Sequence, residues 1–149
     1  MEFEIIPFEP WHCVGDFTPV EQIDGEHWRE NLIFYYHSGP TYTGFHGKHI
    51  VGFGGVRKYW SGVGEGWIMV NRKQPDIFKL ALGIYLVKGI REKIKEVMGF
   101  GYWRIQAFCH HEVPGAEKLL KAIGFKFEGS LKKFNPDRSD SLIYAYTKD

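Results

Sequence analysis

The chain of 149 residues is 44% hydrophobic and 17% aromatic, and its formal net charge at pH 7 is +1. This length and apolar content fit a single globular domain with its own core and exclude a disordered chain. The near-zero net charge argues against a protein dedicated to nucleic acid or acidic membranes, so neither partner is expected.

The cysteine count and the N-terminus indicate a cytoplasmic protein. Two cysteines, Cys13 and Cys109, are too few for a disulfide framework and suit a reducing compartment. Residues 1–6 carry two acidic side chains and no basic region, so no secretory signal is expected. The apolar run at 81–87 ends at Lys88, well short of the roughly 20 residues that a membrane helix needs.

The first third of the chain predicts a strand followed by two helices. Residues 2–8 alternate charged and apolar side chains, as a first strand does. Residues 11–17 are predicted to form a short helix. Asp24 is a good N-cap for a second helix that reaches about His37 and ends before Gly39 and Pro40.

The middle of the chain predicts three strands. Residues 41–45 and 49–59 form a predicted hairpin that turns at 46–48, and residues 65–70 form the next strand. The second strand of the hairpin contains Gly52, Gly54 and Gly55, which weaken a strand but permit bulges and close approach of a neighbouring backbone.

The second half predicts a long helix, a strand, a helix and two more strands. Apolar residues at helical spacing predict a helix over 76–98, and alternation predicts a strand from Trp103 through Cys109. A second amphipathic helix ends at Gly124, where a helix commonly needs a left-handed residue. Phe125 and Phe127 alternate with charged residues and predict a half-buried strand. A polar turn at 135–139 leads into a last strand over 140–146.

The segment from Ala116 to Gly129 resembles the C-terminal end of the GNAT superfamily of N-acetyltransferases, in which a helix of the form A-x-x-x-[YL]-x-x-x-G-F leads into a hairpin. The predicted order of elements, β-α-α-β-β-β-α-β-α-β-β, is also the order of that superfamily. The resemblance implies one α/β (α+β) domain over 1–149. Its mixed, mostly antiparallel sheet has about seven strands, splayed at its centre, and about four helices. Residues 64–70 and the ending look like the divergent acetyltransferase-like proteins of bacteriophages.

This resemblance implies transfer of an acetyl group from acetyl-CoA, as co-substrate, to a primary amine on a small molecule or a protein. The fourth and fifth strands would splay so that the pantetheine arm fills the gap. The backbone of Ile68, Met69 and Val70 would then hold the pantetheine and polarise the thioester carbonyl.

The superfamily places the CoA pyrophosphate in a glycine-rich loop at the start of the next helix. This chain has Arg72, Lys73, Gln74, Pro75 and Asp76 there, so both glycines are missing and the proline removes one donor. The two cations can act as side-chain phosphate ligands, or they can form an ordinary solvated turn.

Two residues are candidates for the catalytic base. Glu65 matches the fourth-strand glutamate of many members, although it could equally be solvated at the start of a strand. His110 ends the fifth strand near the expected thioester and is the second candidate. Its neighbour Cys109 is expected to be a small buried hydrophobe and less suited to act as a nucleophile.

The usual general acid is missing. The superfamily carries a tyrosine four residues before the glycine that ends the helix, and this chain has Leu120 there. Val113 replaces an asparagine often found before the same helix. Tyr144 or Tyr146 could substitute as the acid, or solvent could protonate the thiolate.

Other functions stay open. The missing tyrosine and glycines also fit a GNAT-fold protein without catalysis, with a binding or structural role, in a phage particle or the host cytoplasm. No metal is expected, because His46 and His49 lack accompanying cysteine pairs. Nucleic-acid binding through scattered lysines is a weaker third alternative, and a homodimer is left open.

Overall fold

The computed structural model of the chain describes residues 3–13, 17, 27–71, 81–110 and 115–148. The strands are β1 Phe3–Pro7, β2 Thr41–His46, β3 His49–Trp60, β4 Val63–Val70, β5 Arg104–His110, β6 Lys126–Leu131 and β7 Ser141–Thr147. The helices are α1 Trp28–Ser38, α2 Ala81–Met98 and α3 Ala116–Ala122, with a 3-10 helix at Pro10–Cys13.

The seven strands form one mixed sheet in the order β1-β2-β3-β4-β5-β7-β6. Among the described strands, β4 and β5 pair in parallel and every other neighbouring pair is antiparallel. This confirms the predicted fold class and the order of elements, with the 3-10 helix in place of the first predicted helix. None of the described helices combines the length and apolar character of a membrane span.

The two faces of the sheet carry different layers because side chains alternate along each strand. On one face, Ile105 and Cys109 of β5 pack with side chains of α2 and α3 in the larger of two apolar clusters. On the other face, Trp28 and Leu32 of α1 pack over Phe53 of β3 in the smaller cluster. We call these the α2–α3 face and the α1 face.

The glycines of β3 let neighbouring backbones approach closely, as the sequence predicts. A Cβ atom on Gly52 would lie 2.4 Å from the carbonyl oxygen of Met69, and one on Gly55 would lie 2.2 Å from that of Pro40. Both distances are far below van der Waals contact. The first of these glycines therefore allows β4 to lie tight against β3.

The end of α3 confirms the prediction for Gly124, whose φ is +101°. The N–H of Phe125 donates to the carbonyl oxygen of Leu120 at 2.9 Å and closes the helix end. The prediction for Phe127 is wrong, because its side chain is 55% exposed. The strand β6 forms the edge of the sheet, and a register shift between Phe127 and Gly129 breaks the alternation.

Several predicted boundaries change. The strand β4 begins at Val63, two residues early, and β5 begins at Arg104. Trp103 therefore precedes the strand instead of alternating within it, and its ring lies against Gly62. The predicted N-cap Asp24 and the predicted helical residues 76–80 lie outside the described residues.

Candidate active site

The strands β4 and β5 form a fork at the centre of the sheet. Their pairs are Val63 with Arg104, Gly64 with Ile105 and Glu65 with Gln106. Past Glu65 and Gln106 the described residues of the two strands do not pair with each other. Both strands continue, each paired with its neighbour on the other side, as far as Val70 and His110. The predicted central splay is thus present: in the part of the chain that the structure describes, the two strands diverge and their facing edges do not pair with each other.

A cavity of about 350 Å³ lies at this fork. Its lining is mostly apolar and includes side chains of β4, β5, α2 and α3. Among the described residues that line it, Glu65 carries the one carboxylate and His110 the one imidazole. The structure therefore brings both candidate bases to one cavity. Both project from the α1 face, since they alternate with Gly64 and Cys109 of the opposite face.

Glu65 lies inside the strand and is not a solvated terminal residue. Its side chain is 19% exposed, and one carboxylate oxygen lies 3.5 Å from Nη2 of Arg57. Burial raises the pKa of Glu65, while the Arg57 charge and a hydrogen bond from Tyr59 oppose part of that rise. A carboxylate with a raised pKa accepts protons more readily, which suits a base.

A chain of polar side chains continues from Glu65 across the α1 face. Burial, followed by the nearby Glu65 charge, raises the pKa of Tyr59, which is also hydrogen-bonded to Gln106. Arg104 donates from Nε to Oε1 of Gln106 at 3.0 Å and makes two hydrogen bonds to the Glu128 carboxylate. This network was not predicted from the sequence, although polar residues at alternate positions of β5 indicate it.

Trp67 places a buried donor beside Glu65. Its ring stacks on Tyr35 of α1, with centroids 4.5 Å apart. Its Nε1 is buried and has no hydrogen-bond partner in the structure as described. Because buried donors are nearly always satisfied, this N–H suits an acceptor atom on a bound molecule or water.

The loop between β6 and β7 folds over the end of β5. Phe134 of this loop stacks on Phe108, with ring centroids 5.0 Å apart. Next along β5, Nε2 of His110 lies 2.8 Å from Oγ of Ser139. The imidazole therefore has a fixed partner that comes from a distant part of the chain.

The proposed substitutes for the missing acid are poorly suited to that role. Tyr144 is almost fully buried on the α2–α3 face, and its hydroxyl donates to the carboxylate of Glu117. This hydrogen bond is the leading cause that raises the pKa of Tyr144 to about 12. Tyr146 packs against Phe125. Leu120 lines the cavity and adds no titratable group there.

The predicted CoA-binding residues fall into two groups. Ile68 and Val70 line the cavity, whereas Met69 packs towards the smaller apolar cluster on the α1 face. Arg72, Lys73, Gln74 and Asp76 lie outside the described residues. Asn71 was not predicted. It is buried and fixes the end of β4, because its N–H donates to Val51 O at 2.9 Å and its Nδ2 to Ile50 O at 3.0 Å.

The remaining candidates do not form a further site. Cys109 is 3% exposed and packs in the larger apolar cluster. His46 and His49 face each other across the turn between β2 and β3. The described residues contain no group of three or more side chains placed to hold a metal ion.

Comparison with solved structures identifies the fold. An IAA acetyltransferase from Bacillus cereus is similar with a TM-score of 0.73 and 12% identity, covering 99% of this chain and 100% of that one. A GNAT acetyltransferase from Bacillus anthracis is similar with a TM-score of 0.72 and 21% identity, covering 97% of this chain and 94% of that one. A GNAT acetyltransferase from Elizabethkingia anophelis, solved with acetyl-CoA bound, gives 0.68 and 18%, with 98% of each chain covered.

This chain therefore has the GNAT fold over nearly its whole length. No family model matches the sequence, and no curated protein matches it either. At these identities the similarity establishes the fold, and the activity must be argued from the site.

Proposed function

We propose that this protein is an N-acyltransferase that moves an acetyl group from acetyl-CoA to a primary amine. The fork carries this proposal, because past Glu65 the described residues of β4 and β5 do not pair with each other and flank a cavity beside a carboxylate of raised pKa. The structure from Elizabethkingia anophelis holds acetyl-CoA, and a similar acetyltransferase from Bacillus subtilis was solved with CoA.

The backbone of β4 past the fork is the proposed thioester site. Among the described residues, Ile68, Met69 and Val70 pair with β3 and not with β5. Their N–H and C=O groups that are directed towards β5 can pair with the amides of the pantetheine arm. An N–H aimed at the thioester carbonyl would stabilise the oxyanion that forms during attack.

The pyrophosphate is assigned to the segment that follows β4. Arg72 and Lys73 would bind it as cations, and Gln74 and Asp76 would contribute backbone groups near the start of the next helix. This part of the proposal rests on the sequence. It is the part that mutation tests most simply.

Glu65 is the proposed base. It takes a proton from the ammonium of the acceptor, directly or through water, and the neutral amine attacks the thioester carbon. The attacking nitrogen then gives up its second proton, the C–S bond breaks with its electron pair leaving on sulfur, and the thiolate takes up a proton. His110 is the second candidate base in the same cavity.

The acceptor amine is proposed to enter from the α1 face. The stacked pair of Trp67 and Tyr35 forms an aromatic wall beside Glu65 there, and the Trp67 N–H can bind an oxygen of the acceptor. These contacts suit an amine that carries an apolar or aromatic portion. They fit a small molecule or a protein side chain, in the cytoplasm.

Calorimetric titration with acetyl-CoA tests this function. We expect micromolar binding, strong loss in an Arg72→Ala, Lys73→Ala double variant, and little change in Lys132→Ala, Lys133→Ala, which removes two cations from another turn. Absence of binding at millimolar acetyl-CoA would refute acetyl transfer. It would leave the alternative of a GNAT-fold scaffold without catalysis, such as a component of a phage particle, to be tested by searching for its binding partner.

A further inference from the structure

The loop over residues 132–140 places the carboxylate of Asp137 near the imidazole of His110. Backbone hydrogen bonds shape the loop, from Asn135 N to Ser139 O at 3.1 Å and from Arg138 N to Asn135 O at 2.8 Å. The stack of Phe134 on Phe108 fixes it to β5. The loop therefore meets His110 in a defined geometry.

The hydrogen bonds around Ser139 determine where the proton of His110 lies. The carboxylate of Asp137 accepts from both the backbone N–H and the hydroxyl of Ser139, at 3.0 and 2.5 Å. These hydrogen bonds lower the pKa of Asp137, so the carboxyl is ionised and can only accept. The single hydroxyl proton of Ser139 is thus directed to Asp137.

The hydroxyl oxygen of Ser139 is then an acceptor for its other two neighbours. Asn135 donates to it from Nδ2 at 3.0 Å. Nε2 of His110, at 2.8 Å, must also donate, because no second hydroxyl proton exists. In the neutral ring, Nε2 therefore carries the proton and Nδ1 is the basic atom.

We propose that Asp137 and Ser139 are positioning residues that hold His110 in its Nε2–H tautomer, so that Nδ1 exchanges the proton during acyl transfer. This inference rests on the proposed function for its catalytic part. The hydrogen bonds that link Asp137 to Ser139 and Ser139 to His110, which we call the relay, do not depend on that function. Neither positioning residue was recognised from the sequence, because each contacts His110 across almost 30 residues of chain.

The proton balance of the reaction gives this atom a role. An acceptor ammonium loses two protons on becoming an amide, the first before attack and the second from the tetrahedral intermediate. Glu65 takes the first and passes it to solvent. Nδ1 of His110 takes the second from the attacking nitrogen and delivers it to the sulfur as the C–S bond breaks and its electron pair leaves with sulfur. This replaces the acid that Leu120 and Tyr144 do not supply.

Two substitutions of Asp137 separate the relay from general electrostatics. In Asp137→Ala the hydroxyl of Ser139 loses its acceptor and turns to Nε2 of His110, which moves the ring proton to Nδ1. In Asp137→Asn the amide oxygen can still accept both hydrogen bonds of Ser139, so the native tautomer is retained without the negative charge. Ser130→Ala, on the exposed side of β6, is the matched control.

Long-range proton–nitrogen NMR of the His110 ring reports the tautomer, at an alkaline pH where the ring signals no longer change with pH. His110→Gln assigns the signals. We expect Nε2–H in the wild type, Asp137→Asn and Ser130→Ala, and Nδ1–H in Asp137→Ala. With acetyl-CoA and an amine, kcat of Asp137→Ala should fall on the order of 10-fold or more while KM for acetyl-CoA stays unchanged.

The outcomes are distinguishable. An Nδ1–H tautomer in the wild type, or an unchanged tautomer in Asp137→Ala, would overturn the relay. A switched tautomer with unchanged kcat would overturn its catalytic role. If the wild type has the expected tautomer but transfers no acetyl group, the proposed function fails together with the role of Nδ1, and only the relay survives.

Discussion

Glu65 and His110 stand on opposite strands of the fork, and the protein holds them by different means. Glu65 is fixed by strand neighbours directly across from it, and burial sets its proton affinity. His110 is fixed by a loop from a distant hairpin, through a hydroxyl and an exposed carboxylate. The β4 half of the site therefore depends on sheet packing, whereas the β5 half depends on one loop.

Breaking the sheet at β4 should have the largest effect. In Gly52→Ala the new Cβ would lie 2.4 Å from the Met69 carbonyl oxygen, so β4 must shift away from β3. We expect a loss of about 3 kcal/mol in the free energy of unfolding and loss of acetyl-CoA binding, measured by denaturation and calorimetry. Gly129→Ala is the matched control, since its Cβ would lie 3.9 Å from Ile143 and meet ordinary contact. Equal stability of the two variants would contradict the tight contact of β3 with β4.

Neutralising Glu65 should reduce activity while sparing the fold. We expect Glu65→Gln to lower kcat by roughly 100-fold or more without raising KM for acetyl-CoA. Because burial raises the pKa of Glu65 above its ordinary 4.5, the ionised side chain destabilises the native state. Wild-type stability attributable to this group is therefore present below pH 4.5 and is lost as pH rises through the folded pKa.

The stability of Glu65→Gln relative to the wild type should consequently improve between pH 4 and pH 7, measured by chemical denaturation. Glu128 provides the opposite control. Its hydrogen bonds from Arg104 lower its pKa, so its stabilising contribution is present above pH 4.5 and is lost on acidification. The stability of Glu128→Gln relative to the wild type should thus be lowest near neutral pH. If the relative stability of both variants changed with pH in the same direction, the raised pKa of Glu65 and the lowered pKa of Glu128 could not both be correct.

His12, which lies outside the fork, tests whether part of the loss of stability at low pH arises outside the site. His12 is buried under the α1 face, where its Nδ1 accepts from the Glu9 N–H at 3.1 Å and contacts Thr43 Oγ1 at 2.8 Å. Burial lowers the pKa of His12, against a smaller opposing effect of Glu9. The unfolded chain binds this proton more readily, so stability should fall as pH drops below about 6.5. His12→Gln should lessen that fall in melting temperature, and an unchanged pH dependence would contradict the assignment.

The smallest effect in the wild-type background is expected at the missing acid. Leu120→Tyr adds a phenol to the cavity at the position where the superfamily carries its tyrosine. If His110 already returns the proton to sulfur, kcat should change by less than about 10-fold. The same substitution should recover activity in His110→Gln. A large gain in the wild type would show that the thiolate lacks a proton donor.

The β4 half of the site could be predicted from the sequence because its signals are local. The alternation of side chains along the strand places Glu65 on the same face as Trp67, and the glycines of β3 predict the close contact between the backbones of β3 and β4. The β5 half could not be predicted in full. His110 was recognised by its residue type, but its partners lie in a turn that reads simply as Asn-Pro-Asp polar chemistry.

The errors in the fold have the same origin. Phe127 alternates like a core residue, but its strand lies at the edge and carries a register shift that periodicity alone cannot reveal. Trp103 continues the pattern of β5 although the parallel pairing with β4 starts only at Arg104. In both cases the position of a strand within the sheet decided burial.

The most direct test of the account is an amide NMR titration with acetyl-CoA. We predict large shifts and slowed hydrogen exchange for Ile68, Met69 and Val70, together with β5 up to His110, and little change in the outer strands β1 and β6. That pattern would mean that the coenzyme completes the fork between β4 and β5. Saturable shifts confined to other strands, or none at millimolar acetyl-CoA, would contradict the claim that this fork is a coenzyme site.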